Sequence, residues 1–514
     1  MLHRRILHPL VFNCFQTIRL KYKLTLSSIT LCSVHLPVFF TTTSGPLLKQ
    51  KDGLPVDCKW MSDFGPSFHI SGDDVEVLRQ PSEFYDRLKE LASKAKERVT
   101  IASLYIGTGT REEKLVSSLR TALANADCEV QVLLDVTRGS RGIKNSRTLL
   151  LPLIQDFPGR MQVSLYHAPA LRGWIKKLLP ERWNEIISLT HLKIYLFDNT
   201  LVLSGANLSD NYFTMRQDRY VVFNNCEALA DYFHSLVQTV SSFSLQLMPD
   251  DNLSLHPNWT VHPEKGDPRK FSEEAYQRLS KFLCSKSFNL VTITSSLLAT
   301  NSGSDTVVYP LLQMYPLGVS QDEHVTEHLL VTVPSGSIIK LASGYFNLTE
   351  KYEEIILQSS PAEFDLLVAS PKVNGFYGAK GISGAIPDAY THIAKKFYER
   401  VCDEHQERRI RLHEYDQENW TFHVKGLWVY YPGETLPSVT LIGSPNFGYR
   451  SVYRDLEAQV AIITSNENLR KQLHEEQQNL YERTSLVDQQ TFKKPDRQIP
   501  LWVKFVTKFI KTYF

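Results

Sequence analysis

Residues 191–207 read His191-Leu192-Lys193-Ile194-Tyr195-Leu196-Phe197-Asp198-Asn199-Thr200-Leu201-Val202-Leu203-Ser204-Gly205-Ala206-Asn207. A second stretch reads His423-Val424-Lys425 and continues to Ile442-Gly443-Ser444-Pro445-Asn446. The two match in order: a His-x-Lys pair, an apolar run, then a small-residue turn ending in Asn. The match extends upstream, where Ile101-Ala102-Ser103-Leu104-Tyr105 resembles Leu341-Ala342-Ser343-Gly344-Tyr345. Ser103 and Ser343 are 240 residues apart, His191 and His423 232, and Asn207 and Asn446 239. An offset this constant across three landmarks is the mark of an internal repeat. Within each copy, apolar strand-like runs alternate with acidic, helix-like stretches (residues 111–123 and 350–357), which predicts an α/β layered fold. Two halves of this kind predict a pseudo-twofold pseudo-dimer, each half a mixed sheet flanked by helices. The expected boundaries are a leader over 1–50, a first repeat over 51–248, a Pro-, Asp- and Gly-rich linker over 249–270, a second repeat over 271–499 and a terminal helix over 500–514.

Alternate residues of a strand point to one face, so His191 and Lys193 project together, as do His423 and Lys425. An imidazole beside an ammonium suits phosphoryl chemistry. The ring can act as nucleophile, acid or base near neutral pH, and the ammonium neutralises phosphoryl oxygens. Gly, Ser and Asn in the following turns permit close backbone approach and add hydrogen-bond donors, so Asn207, Ser444 and Asn446 are expected at the phosphate. Asp218 lies eleven residues after Asn207, and Glu457 lies eleven after Asn446. A carboxylate there can accept from the Nδ1–H of a catalytic imidazole and fix its tautomer. Arg216, Arg219, Arg450 and Arg454 follow the turns as candidate phosphate ligands. Gly107 and Gly109 form a small turn after a strand, a weak candidate for a nucleotide contact that lacks the ending of a P-loop.

The chain has 514 residues with Lys plus Arg at 57, Asp plus Glu at 55 and a net charge of +2. That balance excludes a whole-molecule basic field for nucleic acid, and no basic cluster flanks either His-x-Lys pair. The seven cysteines are scattered with no C-x-x-C spacing, which excludes a disulfide framework and a structural zinc site. No metal cluster is expected. Residues 1–51 contain no Asp or Glu but carry Arg4, Arg5, Arg19, Lys21 and Lys23 with many hydroxyls, the composition of a mitochondrial transit peptide. The sequon at Asn207 argues against secretion, because a glycan there would block the turn. At the other end, Leu501, Trp502, Phe505, Val506, Phe509 and Ile510 sweep one broad helical face, with Lys504, Lys508 and Lys511 opposite. This predicts an interfacial helix on an anionic membrane surface.

H-x-K-x4-D followed by a small-residue Asn turn, present twice, resembles the phospholipase D superfamily. The context around His191 to Tyr212, with the leader, resembles one branch, the eukaryotic mitochondrial phosphatidylglycerophosphate synthases. The resemblance covers about residues 62–489. It implies phosphatidyl transfer from CDP-diacylglycerol to glycerol 3-phosphate, with release of CMP and no required cofactor. It implies that His191 attacks phosphorus to give a phosphatidyl-histidine, with Lys193 and the motif acid Asp198 beside it, and that His423 with Lys425 serves as acid and base. It also implies a place peripheral to the mitochondrial inner membrane. Other phosphatidyltransferases, phosphodiesterases and nucleases share these motifs, and a scaffold that kept the fold is the non-enzymatic alternative. Two positions depart from the pattern. Tyr430 stands where the second motif expects Asp, leaving Glu434 as a candidate acid, and Gly205 stands where the second turn has Ser444.

Overall fold

The structure is a computed structural model that describes residues 56–173, 187–288 and 304–513. The 1–50 leader therefore lies outside the described residues.

Two mixed sheets carry the fold. In the first the strands run Val75–Leu78, Tyr220–Phe223, Thr200–Ser204, Ile194–Phe197, Arg98–Ala102, Glu129–Asp135, Met161–Tyr166, Leu245–Leu247 and Leu253–Leu255. In the second they run Phe68–Ile70, Thr306–Met314, Glu457–Thr464, Val439–Gly443, Lys425–Tyr430, Ile338–Ser343, Glu363–Ala369, Ile410–Tyr415 and Thr484–Leu486. From Val75–Leu78 in one and Thr306–Met314 in the other, both sheets show the same succession. An antiparallel run leads to a parallel triplet, Arg98–Ala102 to Met161–Tyr166 or Ile338–Ser343 to Ile410–Tyr415. This is the expected duplication written in backbone pairing.

Parallel neighbours require helical crossovers, and the sequence supplies them. Helix Thr110–Asn125 buries Leu115, Val116, Leu119, Ala122 and Leu123, a stripe at helical spacing whose other face carries Arg111, Lys114 and Arg120. Each fully buried Leu or Val contributes roughly 1.5–3 kcal/mol. In the second half, helix Ile386–Asp403 makes the crossover from Glu363–Ala369 to Ile410–Tyr415, burying Ala389, Ala394, Phe397 and Val401. One continuous core joins both sheets, uniting first-sheet residues such as Ile194, Leu196 and Leu203 with Trp428, Ile442 and Val460 through helices Glu227–Ser241, Pro268–Phe288 and Glu467–Tyr481. Arg219 clamps the halves within it. Its guanidinium pairs with Glu476 at 2.8 Å, bonds Leu441 and Thr440, and lies 3.9 Å over the Trp428 ring.

Two expected boundaries move. Phe68–Ile70 pairs with Thr306–Val308, and Cys58 and Met61 pack in the second half's core, so the start of the expected first repeat belongs to the second sheet. The expected 249–270 linker is packed structure. Leu253–Leu255 extends the first sheet, and Trp259 is buried against Phe243 and Phe271. Turn-forming residues in that segment disguised its buried apolar anchors.

Candidate active site

The pairing that joins the two halves also builds the site. Neither histidine lies within a strand as expected. His191 is three residues ahead of Ile194–Phe197, and His423 two ahead of Lys425–Tyr430. Instead each backbone N–H reaches the other half: His191 to the Leu456 carbonyl at 2.8 Å, His423 to the Gln217 carbonyl at 2.9 Å. Leu456 and Gln217 immediately precede Glu457 and Asp218. The contact thus delivers each half's carboxylate to the opposite half's imidazole. His191 Nδ1 lies 3.0 Å from both Glu457 oxygens, and His423 Nδ1 lies 2.7 Å from Asp218 Oδ2. An ionised carboxylate can only accept, so facing Glu457 and Asp218 each Nδ1 carries the proton, which leaves each Nε2 as the reactive nitrogen, with Lys425 Nζ 3.2 Å from that of His423.

The segment before His191 is pinned from both halves. Leu189 N–H donates to Asp455 at 2.8 Å and Thr190 N–H to Asp135 at 3.3 Å. The carboxylates are held in turn. Ser451 donates to Glu457 at 2.8 Å, and Arg219 N–H donates to Asp218 at 2.9 Å. Lys193 donates to the His191 carbonyl at 2.7 Å and Lys425 to the His423 carbonyl at 3.1 Å, which folds each ammonium back beside its own imidazole.

All six groups are largely out of water. Burial, then the neighbouring ammonium, lowers both imidazoles well below the usual histidine range, so both are neutral at pH 7. Burial lowers Lys193 strongly and Lys425 to about 8, and it raises Glu457 and lifts Asp218 to about 6. Burial also raises Asp135 to about 7.

The two histidines are not equivalent. His423 sits between the ring edges of Tyr212 and Tyr345, at 5.1 and 5.6 Å, and its Nε2 lies 3.3 Å from the Tyr212 hydroxyl. Its side chain is 4 % exposed against 14 % for His191. Tyr212 was not singled out in the sequence, yet it stands 239 residues before Ser451, the offset that relates the two Asn turns. Asn207 donates to the Tyr212 hydroxyl at 3.0 Å and keeps a buried, unbonded Oδ1. Asn446 accepts from Ser343 at 3.4 Å and is partly exposed. Ser444 is buried and holds the start of Glu457–Thr464 through Ala458 at 3.1 Å. A Cβ at Gly205 would fall 2.6 Å from Asp218 Oδ1, so a serine there would displace that carboxylate. The Gly205 departure follows from the position of that carboxylate.

Several expected site residues lie elsewhere. Asp198 occupies the far end of Ile194–Phe197 at φ 52°, where its carboxylate accepts from the Lys96, Glu97 and Arg98 N–H groups. It is a turn cap. The absent acid at Tyr430 therefore costs the site nothing. The Tyr430 hydroxyl bonds Gln477 and His474 at 3.1 Å, while Glu434 is paired with Arg470 and Ser438 away from the histidines. Arg219 is the interior clamp, Arg450 pairs with Asp455 at 2.8 Å, and Arg454 donates to the Thr512 carbonyl at 2.9 Å. Of the four arginines, Arg216 and Arg450 stay near the histidines: Arg216 lies 4.6 Å over the Tyr212 ring, and the Arg450 charge acts on His191. Gly107 and Gly109 make room for Glu112, whose carboxylate a Cβ at either position would meet within 3 Å. A nucleotide phosphate at that turn would face a like charge. Among the described residues, no three His, Cys, Asp or Glu side chains gather as a metal site.

A family model described as "Cardiolipin synthase, PLD-like domain" matches residues 88–238. Mouse and human mitochondrial CDP-diacylglycerol–glycerol-3-phosphate 3-phosphatidyltransferases are each 48 % identical over 478 residues, covering 89 % of this chain and 86 % of theirs. The Saccharomyces cerevisiae CDP-diacylglycerol–glycerol-3-phosphate 3-phosphatidyltransferase is 37 % identical over 472 residues, covering 86 % of this chain and 88 % of its own. Among solved structures, phosphatidylserine synthase from Haemophilus influenzae Rd KW20 superposes with a TM-score of 0.65 at 19 % identity, over 89 % of this chain and 99 % of that one. At that identity the likeness is one of fold.

Proposed function

The chain belongs to the CDP-diacylglycerol–glycerol-3-phosphate 3-phosphatidyltransferase family, and we propose from that membership that it transfers the phosphatidyl group of CDP-diacylglycerol to glycerol 3-phosphate. One observation carries the chemistry: two buried imidazoles, each oriented by a carboxylate from the opposite half and each flanked by its own lysine.

His191 is the nucleophile in this reading. It is neutral, its Nδ1–H is held by Glu457, and its ring is the more exposed of the two. Its Nε2 attacks phosphorus, a P–N bond forms, and the P–O bond to CMP breaks. The positive charge that develops on the ring is balanced by Glu457. CMP departs as a phosphate monoester and needs little help from an acid. His423, neutral and held by Asp218, then takes the proton from the acceptor hydroxyl as that oxygen attacks phosphorus and the P–N bond breaks. Lys193, Lys425, Asn207 and Asn446 hold the phosphoryl oxygens. The two ammoniums supply the charge stabilisation that the displacement requires.

The donor is a lipid, and the C-terminal segment supports a peripheral seat on a membrane. Helix Leu501–Ile510 buries Val503 and Thr507 against the protein, so the broad apolar face expected from its sequence is divided. Leu501, Trp502 and Phe505 remain 82 %, 48 % and 54 % exposed beside Lys504 and Lys508. The segment ends where the Lys511 carbonyl accepts from Asn347 at 2.6 Å, two residues beyond Tyr345. Aromatic side chains at the acyl boundary and lysines on anionic headgroups would bring the mouth of the site against a bilayer. No helix among the described residues is long and apolar enough to cross one. The mammalian relatives are named mitochondrial and the leader is free of acids, which supports a mitochondrial location, on the inner membrane in this reading.

The test supplies CDP-diacylglycerol with glycerol 3-phosphate, serine, phosphatidylglycerol or water and measures CMP. Release that depends on glycerol 3-phosphate and yields phosphatidylglycerophosphate is expected. Equal release with water alone would assign the chain to hydrolysis instead.

A further inference from the structure

The arginines that flank the site differ in one respect. Arg219 is locked to Glu476 and Arg450 to Asp455. Arg216 has no carboxylate within ion-pair reach among the described residues. Its Nε donates to Thr421 Oγ1 at 2.9 Å, and its guanidinium covers the Tyr212 ring at 4.6 Å. Tyr212 in turn touches His423 Nε2 at 3.3 Å, so Arg216 stands one aromatic ring from a reactive nitrogen. On its other side is Gly375. A Cβ there would lie 2.8 Å from the Tyr345 hydroxyl and 3.4 Å from a terminal nitrogen of Arg216. The guanidinium and the Tyr345 hydroxyl therefore converge beneath a residue whose missing side chain leaves them room.

Charge accounting points the same way. Lys193 and Lys425 are answered by Glu457 and Asp218 in the inner site. Arg216 is a surplus cation, covered by a tyrosine ring rather than paired with an acid. A reacting phosphodiester carries one negative charge, which the lysines meet. A phosphomonoester carries nearly two and calls for its own planar, forked donor.

We propose that Arg216, with the Tyr345 hydroxyl, binds a second, non-reacting phosphate: a phosphomonoester dianion, brought either by the acceptor or by the departing nucleotide. The proposal rests on the phosphatidyl-transfer reading for its chemistry, but phosphate binding itself can be read without turnover.

The experiment uses the full-length chain with Arg216→Gln and Arg216→Lys variants. Initial rates are measured against glycerol 3-phosphate and against CDP-diacylglycerol, together with product inhibition by CMP. If the phosphate is the acceptor's, Arg216→Gln raises the KM for glycerol 3-phosphate about 30- to 100-fold, the worth of a charge-assisted bidentate contact, and Arg216→Lys recovers part of it. If the KM for CDP-diacylglycerol and the inhibition constant for CMP rise instead, the phosphate is the nucleotide's. Both outcomes support the site. A fall in kcat with both KM values and CMP inhibition within about twofold of wild type overturns it. A second measurement guards against misfolding and against failure of the transfer reading. Glycerol 3-phosphate or CMP should raise the melting temperature of wild type, even if no transfer occurs, and Arg216→Lys should keep part of that rise while Arg216→Gln loses it. Equal rises in all three proteins overturn the proposal.

Discussion

Exchanging Glu457 for Gln and Asp218 for Asn should break two different steps of one reaction. Both carboxylates are fully interior, and each receives an Nδ1–H at 3.0 or 2.7 Å from the other half's imidazole. An amide keeps the shape but loses the charge that offsets a developing imidazolium, and it can stabilise the wrong tautomer. In a comparable acid–histidine pair that loss is about 10⁴ in kcat, or about 5.4 kcal/mol at about 1.36 kcal/mol per decade. Here a fall of about 10³ to 10⁴ is expected for each variant. The division lies in what accumulates. With Glu457→Gln, His191 loses its partner, so phosphorus-labelled CDP-diacylglycerol should leave no label on the protein. With Asp218→Asn, His191 still attacks and CMP still leaves, but His423 no longer takes the acceptor's proton, so labelled protein should build up. Rapid quenching into neutral denaturant, which preserves phosphohistidine, followed by gel separation reads both. Label on Glu457→Gln with none on Asp218→Asn would reverse the roles of the two histidines. Label on neither, with normal turnover, would remove the covalent step.

Activity should follow a bell against pH. Asp218, which burial lifts to about 6, must be ionised, and Lys193 and Lys425 must both keep their protons; burial lowers Lys425 to about 8 and Lys193 strongly as well, so kcat should fall below the first value and no later than the second. Lys425→Arg should move the alkaline limb upward, and an unmoved limb would assign it to another group. Asp198→Ala should leave kcat within about threefold but lower stability by about 2–3 kcal/mol in denaturant melts, because three backbone N–H groups lose their cap at a positive φ; a catalytic loss larger than the stability loss would return Asp198 to the site. Arg219→Leu should destabilise the fold by about 3–5 kcal/mol, since it leaves Glu476 buried and unpaired, and an unchanged melting temperature would show that the clamp is dispensable. Trp502→Asp with Phe505→Asp should spare the melting temperature, both residues being exposed, and weaken binding to anionic vesicles; wild-type binding should itself decline as salt rises, and equal vesicle binding by the variant would move the anchor elsewhere.

The repeat, the mixed sheets and the two His-x-Lys pairs were legible because they are local patterns held at a fixed offset. The spacing of Asp218 and Glu457 also pointed to two carboxylates that the structure places at the imidazoles. What it could not show is that each serves the opposite half, since that follows from the bridges at Leu456 and Gln217, which form only when the sheets meet. Asp198 misled for the converse reason. It belongs to a motif written in the chain, but the strand Ile194–Phe197 carries it away from His191 toward a turn. Tyr212 was hidden by having Ser451 as its counterpart, two side chains with little in common except a hydroxyl aimed into the same site. The terminal helix was read as having one apolar face, and only its docking shows that Val503 faces inward while Trp502 faces out.

The exchange of carboxylates between halves also bears on how the protein comes into being. His191 waits for an acid 266 residues downstream, and His423 for one 205 residues upstream. A ribosome that has released the first half has made an imidazole with no partner, and a chain threading through a translocation pore holds the two ends apart. Chemistry can begin only when both sheets have emerged and closed on each other. Any premature stop before Glu457 should yield an inert polypeptide rather than a slow enzyme, and a nascent chain has no means of attacking lipid on its way to its compartment.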